Sequence, residues 1–356
     1  MQTGSIDIQM IVEMILAGMV ATILNLFLTR TWISLTVKGD LFLVPDKNKL
    51  GYPKASAAGG TFTLASITLG LLTFEIMRIY LHGSEFYKPE IMALALMASL
   101  STLLGFVDDV LSLLSYSKET AVSGLSPKTR VLLMAPISLP LVAIKAGYSK
   151  LDVPFIGVVD LGIAYPLVAV PIGVIGASNA FNMLAGYNGL EAGMGILLLL
   201  SALLVGIVKG LDLVILASLI GIAAILGFLY YNKYPAKTFP GNSFTYGIGA
   251  YYAGIVILGN FEKIGVAVFL LYFIEFFLYI RSKKDKVKKV NFAKICDDGS
   301  LAPPLSKAYS VTHLALKLLV KLKRKDCPTG VREKDVVYII LFIQAIIIGV
   351  TLTILL

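Results

Sequence analysis

The sequence predicts an all-α, polytopic membrane protein of about ten transmembrane helices with a cytoplasmic active-site face. Three observations carry that reading. Hydrophobic residues make up 57% of the 356 residues and charged residues 15%, against roughly 45–50% and 25% in ordinary soluble domains. Apolar runs of about 17–25 residues, long enough to cross a bilayer as a helix, recur along the whole chain. Of the 31 Lys and Arg, 25 stand in or beside alternate connections between those runs. The net charge of +9 is therefore read as positive-inside orientation, with both termini outside, and not as affinity for nucleic acid.

The first run, 8–29, precedes the first positive charge, Arg30, so it reads as a retained helix and not as a cleavable signal. The connection after it, "KGDLFLVPDKNKLGYPKASAAGG", carries Asp46, Lys47, Asn48, Lys49 and Lys54 ahead of a small-residue run where backbones can approach closely. Runs 57–80 and 91–113 follow, and the third ends in "GFVDDVLSLLSYSKET", with Asp108, Asp109 and then Lys118. A carboxylate inside a membrane helix costs about 2.5–3.5 kcal/mol on the insertion scale, so this pair calls for partners, a bound cation first among them.

Runs 130–147 and 160–178 lead into "NAFNMLAGYNGLEAG", where Asn179 and Asn182 share a helical face and a glycine-rich turn holds Asn188 and Glu191. Runs 190–208 and 211–231 lead to "KTFPGNSFTYG", in which Phe239 precedes a Pro-Gly break and Asn242 opens run 243–259. After run 264–280 comes the longest connection, 281–334, which is strongly basic. Within it Val311, Leu314, Ala315, Leu318, Leu319 and Leu322 recur at helical spacing while Lys317, Lys321 and Arg324 line another face. That pattern predicts an amphipathic helix lying on the lipids of the inner leaflet. Run 335–356 closes a single membrane domain. Cys296 and Cys327 stand far apart without a CxxC pattern, which predicts thiols facing a reducing compartment, and neither His82 nor His313 falls in a polar cluster.

The four polar clusters all fall on the side that the basic residues mark as cytoplasmic. Snorkelling, interhelical hydrogen bonding or a plain turn accounts for any one of them. Four together match what a Mg²⁺-assisted phosphate site requires: hard oxygen ligands, lysines to balance phosphate charge, and glycines that let backbone amides come near. A secondary transporter is the rival reading of buried carboxylates. Transporters, however, place polar groups near the midplane between internal repeats, whereas these clusters sit at one rim and no repeat is evident.

In this order the motifs resemble the polyprenyl-phosphate N-acetylhexosamine-1-phosphate transferases, over Asp46 to about Gly249. The turn "NGLEAG" is similar to the branch that transfers N-acetylglucosamine-1-phosphate from UDP-N-acetylglucosamine to dolichyl phosphate. The resemblance implies attack of a lipid phosphate on the donor's β-phosphorus and release of UMP, the first step of lipid-linked oligosaccharide assembly for N-glycosylation. It also implies Mg²⁺ held by Asn182 and by an acidic position occupied here by Asn242, uracil contacted by Asn188 and stacked on Phe239, and a pyrophosphate region lined by Asp108, Asp109 and Lys118. Asp46, Lys54, Asn179 and Glu191 are expected at the substrate site, with Lys289 and Lys294 as the nearest basic residues of the last loop. Asn242 in place of an acid is a departure that raises an inactive homologue as an alternative, and no arginine-rich element stands in the last loop. The short loops favour an archaeal cell membrane, with the endoplasmic reticulum as the eukaryotic counterpart, and a homodimer is compatible with this reading.

Overall fold

The structure, a computed structural model, describes residues 8–83, 85–117, 124–153, 157–287, 292–323 and 327–356. Its helices are α1 (Ile8–Gly39), α2 (Thr61–His82), α3 (Lys88–Ser117), α4 (Pro127–Met134), α5 (Leu139–Ala143), α6 (Val170–Met183), α7 (Leu190–Lys209), α8 (Asp212–Asn232), α9 (Gly241–Gly259), α10 (Glu262–Ala267), α11 (Leu270–Lys284), α12 (Val311–Lys323) and α13 (Glu333–Leu355). Among the described residues seven helical stretches are long and apolar enough to cross a membrane: α1, α2, α3, the stretch Tyr165–Met183 that contains α6, α7, α8 and α13. The protein is an integral, essentially all-helical membrane protein.

Of the remaining three predicted runs, two are broken and one is a single helix. Run 130–147 is not one span: Pro136 and Pro140 each remove a backbone donor, and the chain breaks into α4, a 3-10 turn at Ala135–Ser138, and α5. Run 264–280 divides into α10 and α11 around Val268 and Phe269. Run 243–259 is α9, the central helix, buried from Ser243 to Gly259. The expected helix at 160–178 starts late, after the hairpin β3 (Lys150–Val153) and β4 (Gly157–Asp160), and enters α6 through a π turn at Tyr165–Ala169. Two further hairpins matter more for function. Strands β1 (Leu43–Pro45) and β2 (Lys54–Ser56) pair antiparallel, as do β5 (Lys294–Ile295) and β6 (Leu301–Ala302).

Helix α3 reaches α9 because of one small residue. A Cβ on Gly105 would lie 2.4 Å from the Cα of Ser243, so only glycine lets the two backbones come this close. One turn further along the same face of α3 stands Asp109, which is thereby delivered to the start of α9.

Between α11 and α13 lies α12, which buries Val311, Thr312, His313, Ala315 and Leu316. Leu314, Leu318 and Leu322 form an exposed row beside Lys317 and Lys321. The apolar stripe read from the sequence is thus split between an inward face and an outward one. The expectation of free thiols is corrected here: Cys296 and Cys327 form a disulfide with their Cα atoms 5.7 Å apart. The two meet because the β5–β6 hairpin is bonded to the segment before α13. Leu301 N donates to Val331 O at 2.8 Å, and Thr329 Oγ1 donates to Leu301 O at 2.7 Å. Long-range pairing of this kind leaves no mark in cysteine spacing.

Candidate active site

The turn after β1 is built from its own side chains. Asp46 Oδ1 accepts from Asn48 N at 3.2 Å, and Asp46 Oδ2 takes the Lys49 ammonium. Strand β2 is in turn bonded to the segment before α9: Ser56 N donates to Lys237 O at 3.2 Å, and Phe239 N donates to Ser56 O at 2.8 Å. Phe239 is thereby placed beside Asp46 and Lys47. At the start of α9, Asp109 Oδ1 accepts from Asn242 N at 2.7 Å and Oδ2 from Ser243 N at 3.1 Å, so the carboxylate caps the positive end of that helix. Gly241 is the residue that permits this. Its φ is +74°, and a Cβ there would fall 2.4 Å from Asp109 Oδ2.

These elements surround a cleft of about 520 Å³ lined by Asp46 and Lys47, Asp109 and Ser112, Asn182, Gly186, Tyr187 and Glu191, Phe239, Asn242 and Thr245, and Phe292. Four of the predicted clusters therefore meet in one place. Asn182 Oδ1 accepts from Thr245 Oγ1 at 2.8 Å. Glu191 is buried, accepts from Gly186 N at 2.8 Å through Oε1, and leaves Oε2 without a protein partner. In the glycine-rich turn, burial in a low-dielectric setting raises the phenol pKa of Tyr187 above the ordinary value.

Other predicted residues lie elsewhere. Asp108 is fully buried behind the cleft, where it accepts from Leu125 N at 2.5 Å and Tyr246 Oη at 2.7 Å and pairs with Arg130 at 3.3 Å. Adjacent residues on a helix point about 100° apart, so the aspartates were never going to share one ligand. Asn188 is buried beneath the cleft floor and spends its groups on protein. Its backbone and side-chain N–H groups reach Glu333 Oε1 at 2.7 and 2.8 Å, its amide also reaches Asp46 at 3.1 Å, and its oxygen accepts from Lys49 at 2.8 Å and Ala236 N at 2.6 Å. Asn179 faces Met134 and donates to Ile175 O at 2.9 Å. Lys54 and Lys294 are exposed and do not line the cleft, and Lys118 and Lys289 lie outside the described residues.

The sequence reading missed Phe292, Glu333 and Thr245, and it gave Lys47 no individual role. Lys47 Nζ stands 5.3 Å from the Phe292 ring centroid, a cation–π contact at the cleft edge. Phe292 was findable as the aromatic standing between Lys289 and Lys294 in the basic last loop.

A second cavity, an apolar groove of about 650 Å³, runs between α6, α9, α10 and α11, lined by residues such as Val168, Ile172, Ala180, Val256, Phe269 and Phe273. Among its lining residues, Tyr165 and Glu262 are hydrogen-bonded to each other. The groove follows α6 as far as Ala180, and Asn182 stands about half a turn beyond it at the edge of the polar cleft.

A polar cleft at one rim of a membrane bundle and a separate apolar groove, both lined in part by α6, suit a membrane protein that handles one water-soluble and one lipid ligand. Comparison with known proteins narrows the class. The pattern of Glycosyl transferase family 4 matches residues 91–260. The chain is 32% identical over 295 residues (82% of this chain, 84% of the relative) to a protein of Saccharolobus solfataricus provisionally named UDP-N-acetylglucosamine–dolichyl-phosphate N-acetylglucosaminephosphotransferase. It is 32% identical over 306 residues (85% and 87%) to a protein of Sulfolobus acidocaldarius with the same provisional name. A phospho-N-acetylmuramoyl-pentapeptide-transferase from a Wolbachia of Brugia malayi is 32% identical over 217 residues (57% and 65%). The chain belongs to glycosyl transferase family 4, in the branch of the archaeal N-acetylglucosaminephosphotransferases, and is a phospho-sugar transferase.

Proposed function

We propose that the protein transfers N-acetylglucosamine-1-phosphate from UDP-N-acetylglucosamine to a polyprenyl phosphate of the dolichyl type, forming lipid pyrophosphoryl-N-acetylglucosamine and UMP. The carrying observation is that α6 contributes to both the apolar groove, as far as Ala180, and the polar cleft, at Asn182. A nucleotide sugar suits the polar cleft and a prenyl chain the apolar groove, and on this reading the lipid phosphate is brought to the donor at the Asn182 end of α6.

In the reaction an oxygen of the lipid phosphate attacks the β-phosphorus of the donor, and the bond from that phosphorus to the bridging oxygen of UMP breaks. A phosphate monoester has its second pKa near 6, so the nucleophile is mostly a dianion at neutral pH and needs little help from a base. The barrier is the approach of one anion to another, and positioning with charge compensation dominates. Phe239 offers a flat apolar wall for the uracil, and Lys47 places a positive charge at the cleft edge. Asp109 acts by holding the start of α9, and with it Asn242 and Thr245, against the cleft.

Mg²⁺ fits the donor set. Asp109, Asn182 and Asn242 line the cleft with oxygen-bearing side chains, and the buried Glu191 Oε2 has no protein partner. When bound, the cation would neutralise pyrophosphate charge. The distribution of basic residues supports a cytoplasmic cleft with both termini outside and α12 resting its exposed leucine row on the inner leaflet of the cell membrane.

The test is UMP release by purified protein supplied with UDP-N-acetylglucosamine, Mg²⁺ and a polyprenyl phosphate. Release should require all three, and its absence with every component present would overturn the assignment.

A further inference from the structure

The Cys296–Cys327 disulfide lies on a continuous path from the wall of the cleft to its floor. At one end Phe292 lines the cleft, and the next residue, Ala293, donates its N–H to Asn48 Oδ1 at 3.1 Å. Phe292 then leads into β5, where Lys294 pairs with Ala302 and Ile295 with Leu301, and Cys296 N donates to Ser300 O at 2.8 Å. The disulfide joins this hairpin to the segment before α13. There Thr329 N donates to Ser300 Oγ at 3.0 Å and the Arg332 guanidinium to Asp298 O at 2.9 Å. The following residue, Glu333, holds Asn188 under the cleft. Cys296 is buried while Cys327 is exposed, so the bond is open to approach from the Cys327 side.

We propose that this disulfide is a redox clasp on the donor cleft: oxidised, it holds Phe292 as a second aromatic lining residue in addition to Phe239, and reduced, it releases Phe292 and weakens nucleotide binding. The proposal rests on the assignment of the cleft to UDP-N-acetylglucosamine. Disulfides on a cytoplasmic face are uncommon in mesophiles, where those that occur are usually transient, catalytic or redox-sensing, and are common as structural cross-links in hyperthermophilic archaea, so the test below separates a redox role from a structural one. A thiolate of a small dithiol attacks Sγ of Cys327, the S–S bond breaks, and Cys296 leaves as a thiolate. The second thiol of the reductant then resolves the mixed disulfide. The protein gains two electrons and two protons, and the dithiol becomes a cyclic disulfide. A cross-link that merely stabilised the fold would act mainly on the unfolded chain and shift Tm without changing ligand affinity.

The experiment measures the Kd of UDP-N-acetylglucosamine by calorimetry on the full-length protein, oxidised and after dithiothreitol, alongside C296S/C327S and Phe292→Ala. Loss of one base-stacking wall predicts a rise in Kd of about fivefold or more on reduction, reproduced by C296S/C327S in the absence of reductant. In Phe292→Ala the oxidised and reduced forms should bind equally and weakly. Equal Kd for oxidised and reduced wild type would overturn the clasp while leaving the donor assignment standing, and so would an undiminished redox effect in Phe292→Ala. No binding even to oxidised wild type would overturn the donor assignment itself.

Discussion

Replacing Asp109 by asparagine tests whether the cap on α9 controls the site. The carboxylate gives one oxygen to Asn242 N at 2.7 Å and the other to Ser243 N at 3.1 Å. Asparagine keeps one acceptor and turns an NH₂ group toward the second amide. One charge-assisted bond is lost, at about 1.5–3 kcal/mol, and a buried N–H is left unpaired, at about 1–3 kcal/mol. Part of that cost shows as lower thermal stability and part as displacement of Asn242 and Thr245, and a shift on the order of 1 Å in a positioning element costs about 10²-fold in rate. We expect kcat/KM to fall by about 10²-fold or more, roughly 2.7 kcal/mol, together with a lower Tm. Asp108→Asn is the internal contrast, because Asp108 lies behind the cleft and the Tyr246 hydroxyl can rotate to suit an amide. It should lower Tm with the smaller effect on rate. UMP release and thermal unfolding followed by intrinsic fluorescence give both quantities. A wild-type rate in Asp109→Asn, or equal rate losses in the two variants, would refute the reasoning.

Phe239→Ala removes a stacking surface of about 1–3 kcal/mol, so KM for UDP-N-acetylglucosamine should rise while KM for the lipid phosphate stays near its starting value, and parallel rises would indicate general damage. Gly105→Ala drives a methyl group to 2.4 Å from the Ser243 Cα, and the overpacking, about 1–3 kcal/mol, should lower Tm and activity together. Asn242→Asp adds a carboxylate to the cleft edge and is expected to lower the Mg²⁺ concentration for half-maximal UMP release about tenfold, some 1.4 kcal/mol. Superimposable Mg²⁺ titrations of the two proteins would show that position 242 is not a ligand.

Much of this arrangement was legible in the residues. Seven of the ten apolar runs became membrane-length helices because length and hydropathy alone decide whether a helix suits a bilayer. The misreadings came where something else decides. Pro136 and Pro140 broke a run whose hydropathy passed, and run 264–280 divided into two shorter helices. At the site, motif spacing identified Asp109, Asn182, Phe239 and Asn242 as neighbours, since each stands at a helix end on the same side. It could not tell a side chain that lines the cleft from one that holds up its floor. Asn188 and Asp108 look as exposed in the sequence as their neighbours do, yet the fold turns both inward onto Glu333 and Arg130, residues distant in the chain. Contacts of this range depend on how helices cross, which local pattern does not encode.

That division of labour explains the adjacent aspartates. Two carboxylates side by side in an apolar helix would be costly if both faced one ligand, because like charges close together resist ionising together. The helix separates them by about 100°. Asp108 goes to Arg130 and Tyr246, which tie α3 to α4 and α9, while Asp109 goes to the amides that open α9. Helices α3 and α9 are then fixed from two sides of a single turn of α3, with α4 tied in through Asp108. A cleft edge that must hold a pyrophosphate against an incoming phosphate gains from that rigidity, because its groups act by being already in place. The partners that offset the cost of burying this pair are thus protein groups.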